Sequence, residues 1–260
     1  MVVITADQRD IIFDAVRAMY TDVATHPERR FHFPHGRTAC EYLGYPPALL
    51  DRLPPAAVES FAGVGYPFAT DVIRAGDTVL DIGSGSGTDA LIAALGVGAA
   101  GRVIGLDITA VMLRKLARNA LDMGATTVEV LEGNAEAIPL PDATVDVVTS
   151  NGVINLVPDK VQVAREIARV LRPGGRLQIA DIVVRTLPSE ACRREPQLWA
   201  ECIVGATTEP DCLTRFVDAG LTEVQVLDRR DYFARSENPE TRKVAAGFGA
   251  HAIVFRARKP

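Results

Sequence analysis

Val79-Leu80-Asp81-Ile82-Gly83-Ser84-Gly85-Ser86-Gly87 is an apolar strand pattern that runs straight into three alternate glycines. Residues 88–95 behind it have helical character. Glycines at such a place let the chain turn sharply and let backbone N–H groups approach a ligand with no Cβ in the way. Asp107 ends the next apolar run, Val103-Ile104-Gly105-Leu106-Asp107, 20 residues beyond Gly87. A carboxylate there is placed to accept hydrogen bonds from ribose hydroxyls. Strand, glycine turn, helix and acid together read as a nucleotide-binding unit rather than an isolated flexible turn.

Outward from this unit the same alternation continues. Val128-Glu129-Val130-Leu131, Val145-Asp146-Val147-Val148-Thr149 and Arg176-Leu177-Gln178-Ile179-Ala180-Asp181 are strand-like. Between them, residues 111–123 place apolar side chains at 112, 113, 116, 117, 120 and 121, which is a helical period. Residues 160–171 form a second helical stretch, stopped by Arg172-Pro173-Gly174-Gly175. A helix over 211–219 and strands over 223–227 and 251–256 complete the pattern. The expected fold class is α/β: a doubly wound, mostly parallel seven-stranded sheet of Rossmann-like type. Residues 1–70 carry helix-like pieces at 11–19 and 47–53 around a turn-rich stretch, so a helical N-terminal cap is expected there. The core is then 71–260, with an insertion at about 183–214 above the carboxyl edge of the sheet, where open α/β sheets bind ligands.

Composition excludes other classes. With 48% hydrophobic and 23% charged residues the chain has enough apolar mass for a full core. A net charge of −5 and no concentrated Lys/Arg face argue against a nucleic-acid partner. The longest nearly apolar stretch, 91–101, has 11 residues with three glycines, too few to span a bilayer. Acids at 7, 10 and 14 do not suit a secretory signal, and four cysteines do not make a disulfide scaffold. A cytoplasmic protein with reduced thiols and a small-molecule partner is expected. Oligomeric state is not readable.

Two cofactor classes compete for the glycine turn. A dinucleotide usually requires G-x-G-x-x-G, whereas this spacing is G-x-G-x-G with Thr88 in sixth place. Asp81, just before the turn, would repel a pyrophosphate and attract an ammonium group such as that of S-adenosylmethionine. At this point the residues resemble a known family. Thr78 through Gly87, Asp107, Gly133-Asn134-Ala135-Glu136, Val145-Asp146-Val147-Val148 and Leu171-Arg172-Pro173-Gly174-Gly175 resemble the motifs of class I S-adenosylmethionine-dependent methyltransferases over about residues 70–182. The resemblance implies S-adenosyl-L-methionine as cofactor. It places Asp81, Gly83, Ser84, Gly85 and Gly87 along the methionine part, Asp107 on the ribose and Ile108 on the adenine. Asn134, Ala135 and Glu136 then border the adenine edge, with Ser150 and Asn151 near the methyl group.

A narrower resemblance is to arsenite methyltransferases. It rests on Gly105-Leu106-Asp107-Ile108-Thr109, Ser150-Asn151-Gly152-Val153-Ile154-Asn155-Leu156 and Glu201-Cys202-Ile203-Val204-Gly205-Ala206. That family gathers cysteines from separate segments, because soft trivalent arsenic is held by thiolates. Cys40 and Cys202 match two of its positions, and Glu201 and Gly152 join them as expected substrate-side residues. Two further expected cysteines are absent: the chain has Val64 in Gly63-Val64-Gly65, and Gly152 after Ser-Asn. Cys192 and Cys212 read as packing residues. His32, His35 and Cys40 lack a second cluster that would complete a tetrahedral metal site, so no metal is expected. The resemblance implies methyl transfer to a small molecule, with a metalloid or thiol acceptor favoured. An O-, N- or C-methyltransferase and a non-catalytic S-adenosylmethionine-binding regulator are the alternatives. No catalytic residue is assigned, since positioning and deprotonation suffice for a soft acceptor. An alcohol, phenol or carbon acid would need a base near Asn151, Glu201 or a cap histidine.

Overall fold

The computed structural model describes residues 4–70, 72–189, 192, 199 and 203–260. Strands β1 (Thr78–Ile82), β2 (Arg102–Asp107), β3 (Val128–Glu132), β4 (Val145–Asn151) and β5 (Leu171–Val184) run parallel. Strand β6 (Thr207–Thr208) is a two-residue addition beside the end of β5 that carries no periodicity a sequence could reveal. Strands β7 (Thr222–Arg230) and β8 (His251–Arg258) close one edge, with β8 antiparallel to both β5 and β7. The spatial order is β3-β2-β1-β4-β5-β8-β7, the doubly wound, mostly parallel sheet expected from the strand–helix alternation.

Successive side chains on a strand face opposite ways, and both faces of this sheet are covered. Val79, Val103 and Val147 belong to one apolar cluster, with Ala90, Leu91 and Ala93 of helix α5 (Thr88–Val97) and Met112 and Leu116 of α6 (Ala110–Met123). Leu80, Ile104 and Val148 belong to the other, with Val163 and Ile167 of α7 (Lys160–Val170) and Phe216 of α8 (Glu209–Asp218). Helix α9 (Pro239–Phe248) precedes β8. Arg172-Pro173-Gly174-Gly175 does end a helix, but the chain has already entered β5 at Leu171. Val145 pairs with Leu171 and Val147 with Arg176, so the turn loops out of the strand between these pairs.

Before β1 come α1 (Ala6–Thr25), α2 (Gly36–Leu43), α3 (Pro47–Leu50) and α4 (Pro55–Glu59). Helix α1 outruns the expected 11–19 at both ends, since Thr5 and Gln8 form a reciprocal capping box that starts it early. Helix α2 went unread: it buries Ala39, Cys40 and Leu43, but eight residues are too few for the period to stand out behind the His/Pro-rich turn. The cap is tied to the core by Lys115, whose Nζ donates to Glu59 Oε1 (2.8 Å), Ser60 Oγ (2.8 Å) and the Ala24 carbonyl (3.2 Å). Among the described residues no helix is long and apolar enough to cross a membrane.

Candidate functional site

The chain winds outward from β1 to β3 and then returns to start β4 on the other side of β1, so a crevice opens at the carboxyl tips of β1 and β4. A cleft of about 930 Å³, open mouth included, lies there. Its lining comes from the glycine turn, the β2 tip (Asp107, Ile108, Thr109), Gly133-Asn134-Ala135 and the β4 tip (Asn151, Gly152, Val153). The cap supplies Phe13, Val16 and Tyr20 of α1, and Ser60 through Gly63. The participation of α1 was invisible in the sequence, because amphipathic spacing shows which face is buried and not what covers it.

The glycine turn is held rigidly. Ser86 Oγ (2.7 Å) and Thr88 Oγ1 (2.8 Å) both donate to the Ala57 carbonyl, and Asn119 Nδ2 donates to the Ser86 carbonyl (2.8 Å). All three glycines have positive φ. A Cβ at Gly83 would overlap Val153 and one at Gly87 would overlap Leu116. A Cβ at Gly85 would meet nothing nearer than Met112 Sδ at 3.9 Å, so the room beside it belongs to the cleft.

Three carboxylates face this space. Asp81, 2% exposed, accepts from Thr149 Oγ1 at 2.8 Å with one oxygen, while Oδ2 is buried with no hydrogen-bond partner. Burial, then the nearby charge of Asp89, pushes its carboxyl well above the usual carboxylate range. Burial likewise raises Asp89 to about 6, against the opposing hydrogen bonds from Tyr45 and Asn151. Asp107 accepts from the Gly85 N–H (2.9 Å) and the Thr109 N–H (2.8 Å), and burial raises it too. Buried carboxylates without cations are destabilised, so the site is built for a positively charged ligand. Together with the buried, unpartnered Ser84 Oγ and the room at Gly85, the orphaned Asp81 oxygen fits the ammonium-bearing end of S-adenosylmethionine.

The other residues singled out in the sequence are placed as follows. Ile108, Asn134 and Ala135 line the cleft between β2 and β3. Glu136 is not among the lining residues; its carboxylate accepts from the Asp159 N–H (2.6 Å) and makes a close ion pair with Arg9 of α1. Ser150 is fully buried and donates to the Ile82 carbonyl at 3.0 Å, fastening β4 to β1. Gly152 lines the cleft beside Val64, and a Cβ on Gly152 would lie 3.1 Å from Val64 Cγ1. The two positions where cysteines were expected are thus in contact. Cys40 is fully buried in the cap cluster and does not line the cleft; burial raises its thiol. Cys212 is buried between α8 and the sheet and pushed up to about 12 by burial. Glu201 and Cys202 lie outside the described residues. Among the described residues no group of His, Cys, Asp or Glu is arranged to hold a metal ion.

Sequence reasoning missed Asp89 and Tyr45. Tyr45 Oη donates to Asp89 Oδ1 at 2.6 Å, and Asn151 Nδ2 donates to Asp89 Oδ2 at 2.9 Å. A signal for Asp89 was available: it is a lone acid in the otherwise apolar helix segment Ala90-Leu91-Ile92-Ala93-Ala94-Leu95, and a charge there needs a partner.

Comparison with known proteins agrees with this geometry. A methyltransferase domain family matches residues 73–230. The arsenite methyltransferase of Halobacterium salinarum is 39% identical over 167 residues, 64% of this chain and 43% of that protein. The arsenite methyltransferase of Aquipseudomonas alcaligenes is 37% identical over 195 residues, 70% of this chain and 56% of that protein. The chain thus spans about half the length of these curated relatives. The crystal structure of an arsenic(III) S-adenosylmethionine methyltransferase from Chlamydomonas reinhardtii superimposes with a TM-score of 0.69 at 33% identity, covering 82% of this chain and 73% of that one. A buried acid-rich cleft at a glycine turn, on this sheet and with these relatives, makes the chain a member of the class I S-adenosylmethionine-dependent methyltransferases, near the arsenite methyltransferases.

Proposed function

We propose that the protein transfers the methyl group of S-adenosylmethionine to a soft nucleophile on a small molecule, a thiol or a metalloid. The observation that supports this is the state of the acids beside the β4 tip. Both oxygens of Asp89 are already engaged by Tyr45 and Asn151, and Asn151 itself is consumed by the loop at 63–65. Among the described residues, neither Asp89 nor Asn151 keeps a free atom at the β4 tip to take a proton from an alcohol or phenol, which supports an acceptor that ionises by itself, as a thiol does. The bound cofactor supplies an electrophilic methyl on a sulfonium. The chain's part is to hold the cationic donor with Asp81 and Asp89, to exclude water with α1, and to align the acceptor against the wall made by Gly63, Gly152 and Val153.

Val64 and Gly152 leave that wall apolar where thiols were expected. This favours a second reading, a C-methyltransferase acting on an apolar ring. A ubiquinone/menaquinone biosynthesis C-methyltransferase of Hahella chejuensis is 41% identical over 45% of the chain. One screen separates the two: release of S-adenosylhomocysteine with arsenite, a small thiol, a phenol and a hydroquinone. Turnover with arsenite or thiol alone supports the first reading, and turnover with hydroquinone alone replaces it with the second. Binding of S-adenosylmethionine with no turnover on any acceptor returns the regulatory alternative.

A further inference from the structure

Asn151 is the most heavily committed polar side chain at the cleft. Its Oδ1 accepts from the backbone N–H groups of Val64 (2.7 Å) and Gly65 (3.1 Å). Its Nδ2 lies within hydrogen-bond distance of Asp89 Oδ2 (2.9 Å), the Gly65 carbonyl (2.9 Å) and Tyr45 Oη (3.0 Å). The loop at 63–65 presses directly on this amide, since a Cβ on Gly63 would lie 2.5 Å from Asn151 Nδ2. The loop's place opposite Gly152 therefore depends on how the Asn151 amide is oriented. That orientation is set from behind by Asp89, which also borders the cofactor cleft.

We propose that Asp89 is a positioning residue that couples the positive charge of the bound methyl donor to the fixing of the 63–65 loop, through Tyr45 and Asn151. The physical chain is short. As a carboxylate, Asp89 accepts from both Tyr45 and Asn151, and such charge-assisted bonds are about twice as strong as neutral ones. With a proton on it, one of its oxygens becomes a donor, and one of the two bonds is lost or reversed. A cation in the cleft holds Asp89 ionised. Burial raises its carboxyl to about 6, which shows how poorly the protein alone compensates that charge. Asp81 adds to the demand for a cation, because its free oxygen shares the same space. Below about pH 6, where the unloaded Asp89 is mostly protonated, the consequence is ordered assembly: the donor binds first, the amide of Asn151 locks, and the wall facing the acceptor becomes rigid in the loaded molecule.

Amide hydrogen exchange of Val64 and Gly65, followed by mass spectrometry or NMR in the full chain, tests this. At about pH 5, where the unloaded carboxylate is mostly protonated, saturating S-adenosylmethionine should slow exchange at these two amides several-fold, up to the roughly tenfold that one pKa unit on the linking carboxylate carries. In Asp89→Asn, with saturation verified by titration, that slowing should vanish while the Gly85 and Thr109 amides at the cofactor remain protected. Tyr45→Phe removes one of the two donors with little change in volume. It should reduce the slowing at 64 and 65 to a few-fold, which keeps the test decisive if Asp89→Asn does not fold. Equal protection of Val64 and Gly65 in wild type and in either variant would overturn the proposal. So would unchanged exchange at these amides when wild type is saturated.

Discussion

Substituting each glycine of the cofactor turn by alanine separates folding from binding. At all three positions φ is positive (+70°, +52° and +100° for Gly83, Gly85 and Gly87), which costs an L-residue ~1–2 kcal/mol. At Gly83 and Gly87 the new methyl also runs into Val153 and Leu116. Overpacking of that kind adds ~1–3 kcal/mol, for a total of ~2–5 kcal/mol. For a chain of this size each kcal/mol lowers Tm by about 2–4 °C, so Gly83→Ala and Gly87→Ala should melt about 4–20 °C lower. At Gly85 the protein offers no obstacle, with Met112 Sδ 3.9 Å away. Gly85→Ala should lose only about 2–8 °C from its backbone conformation. Its methyl instead occupies cofactor space, and ~1–3 kcal/mol of overpacking weakens S-adenosylmethionine roughly 5- to 150-fold. Thermal denaturation without ligand, with calorimetric titration of S-adenosylmethionine, reads both effects. A Gly85→Ala protein with wild-type Kd, or one destabilised as much as Gly83→Ala, would refute the assignment of that space to the cofactor.

Three further outcomes are expected. Affinity for S-adenosylmethionine should hold above pH 7 and fall about tenfold by pH 5, because Asp89, raised to about 6 by burial, then protonates and no longer offers an anion to a cation. The sign for folding is the reverse. The folded value lies above the unfolded one, so the ligand-free protein loses stability as pH rises through about 6, and Asp89→Asn should flatten both profiles. Arg9→Ala removes the ion pair that ties α1 to Glu136; with ~1 kcal/mol at stake, stopped-flow dissociation of S-adenosylhomocysteine should quicken about fivefold, and an unchanged rate would show that α1 does not gate the cleft. Val64→Cys with Gly152→Cys should create a 1:1 soft-metal site that neither single variant has, measured as cadmium or arsenite binding, since the two positions are in van der Waals reach.

The parts of the fold that the sequence displayed are those encoded locally. The strand–glycine–helix succession and Asp107 at the next strand tip lie within 30 residues of each other, and each has a periodicity or a turn residue to mark it. The parts it hid are held by distant partners. Tyr45 and Asn151, which bracket Asp89, are separated from each other by 106 residues. Glu136 sits inside a legible motif, yet its carboxylate is claimed by Arg9, 127 residues earlier, which no pattern near Glu136 announces. Likewise, Val64 and Gly152 read as two separate departures from the expected cysteines, and only folding shows them to be one contact.

The place of α1 also has a consequence for how the molecule is made. The helix forms one wall of the cleft, and its Arg9 partner is residue 136, so synthesis must proceed 127 residues further before the pair can close. At 5–20 residues per second that is a wait of about 6–25 s. Through it Phe13 and Val16, buried in the finished protein, lack their full cover. Most of a helix's stability in a protein comes from tertiary packing, though the capping box at Thr5 and Gln8 helps α1 persist before it packs. The helix is thus made well before the partner that seats it. On the ribosome, α1 stays open to chaperones and proteases until Glu136 has emerged.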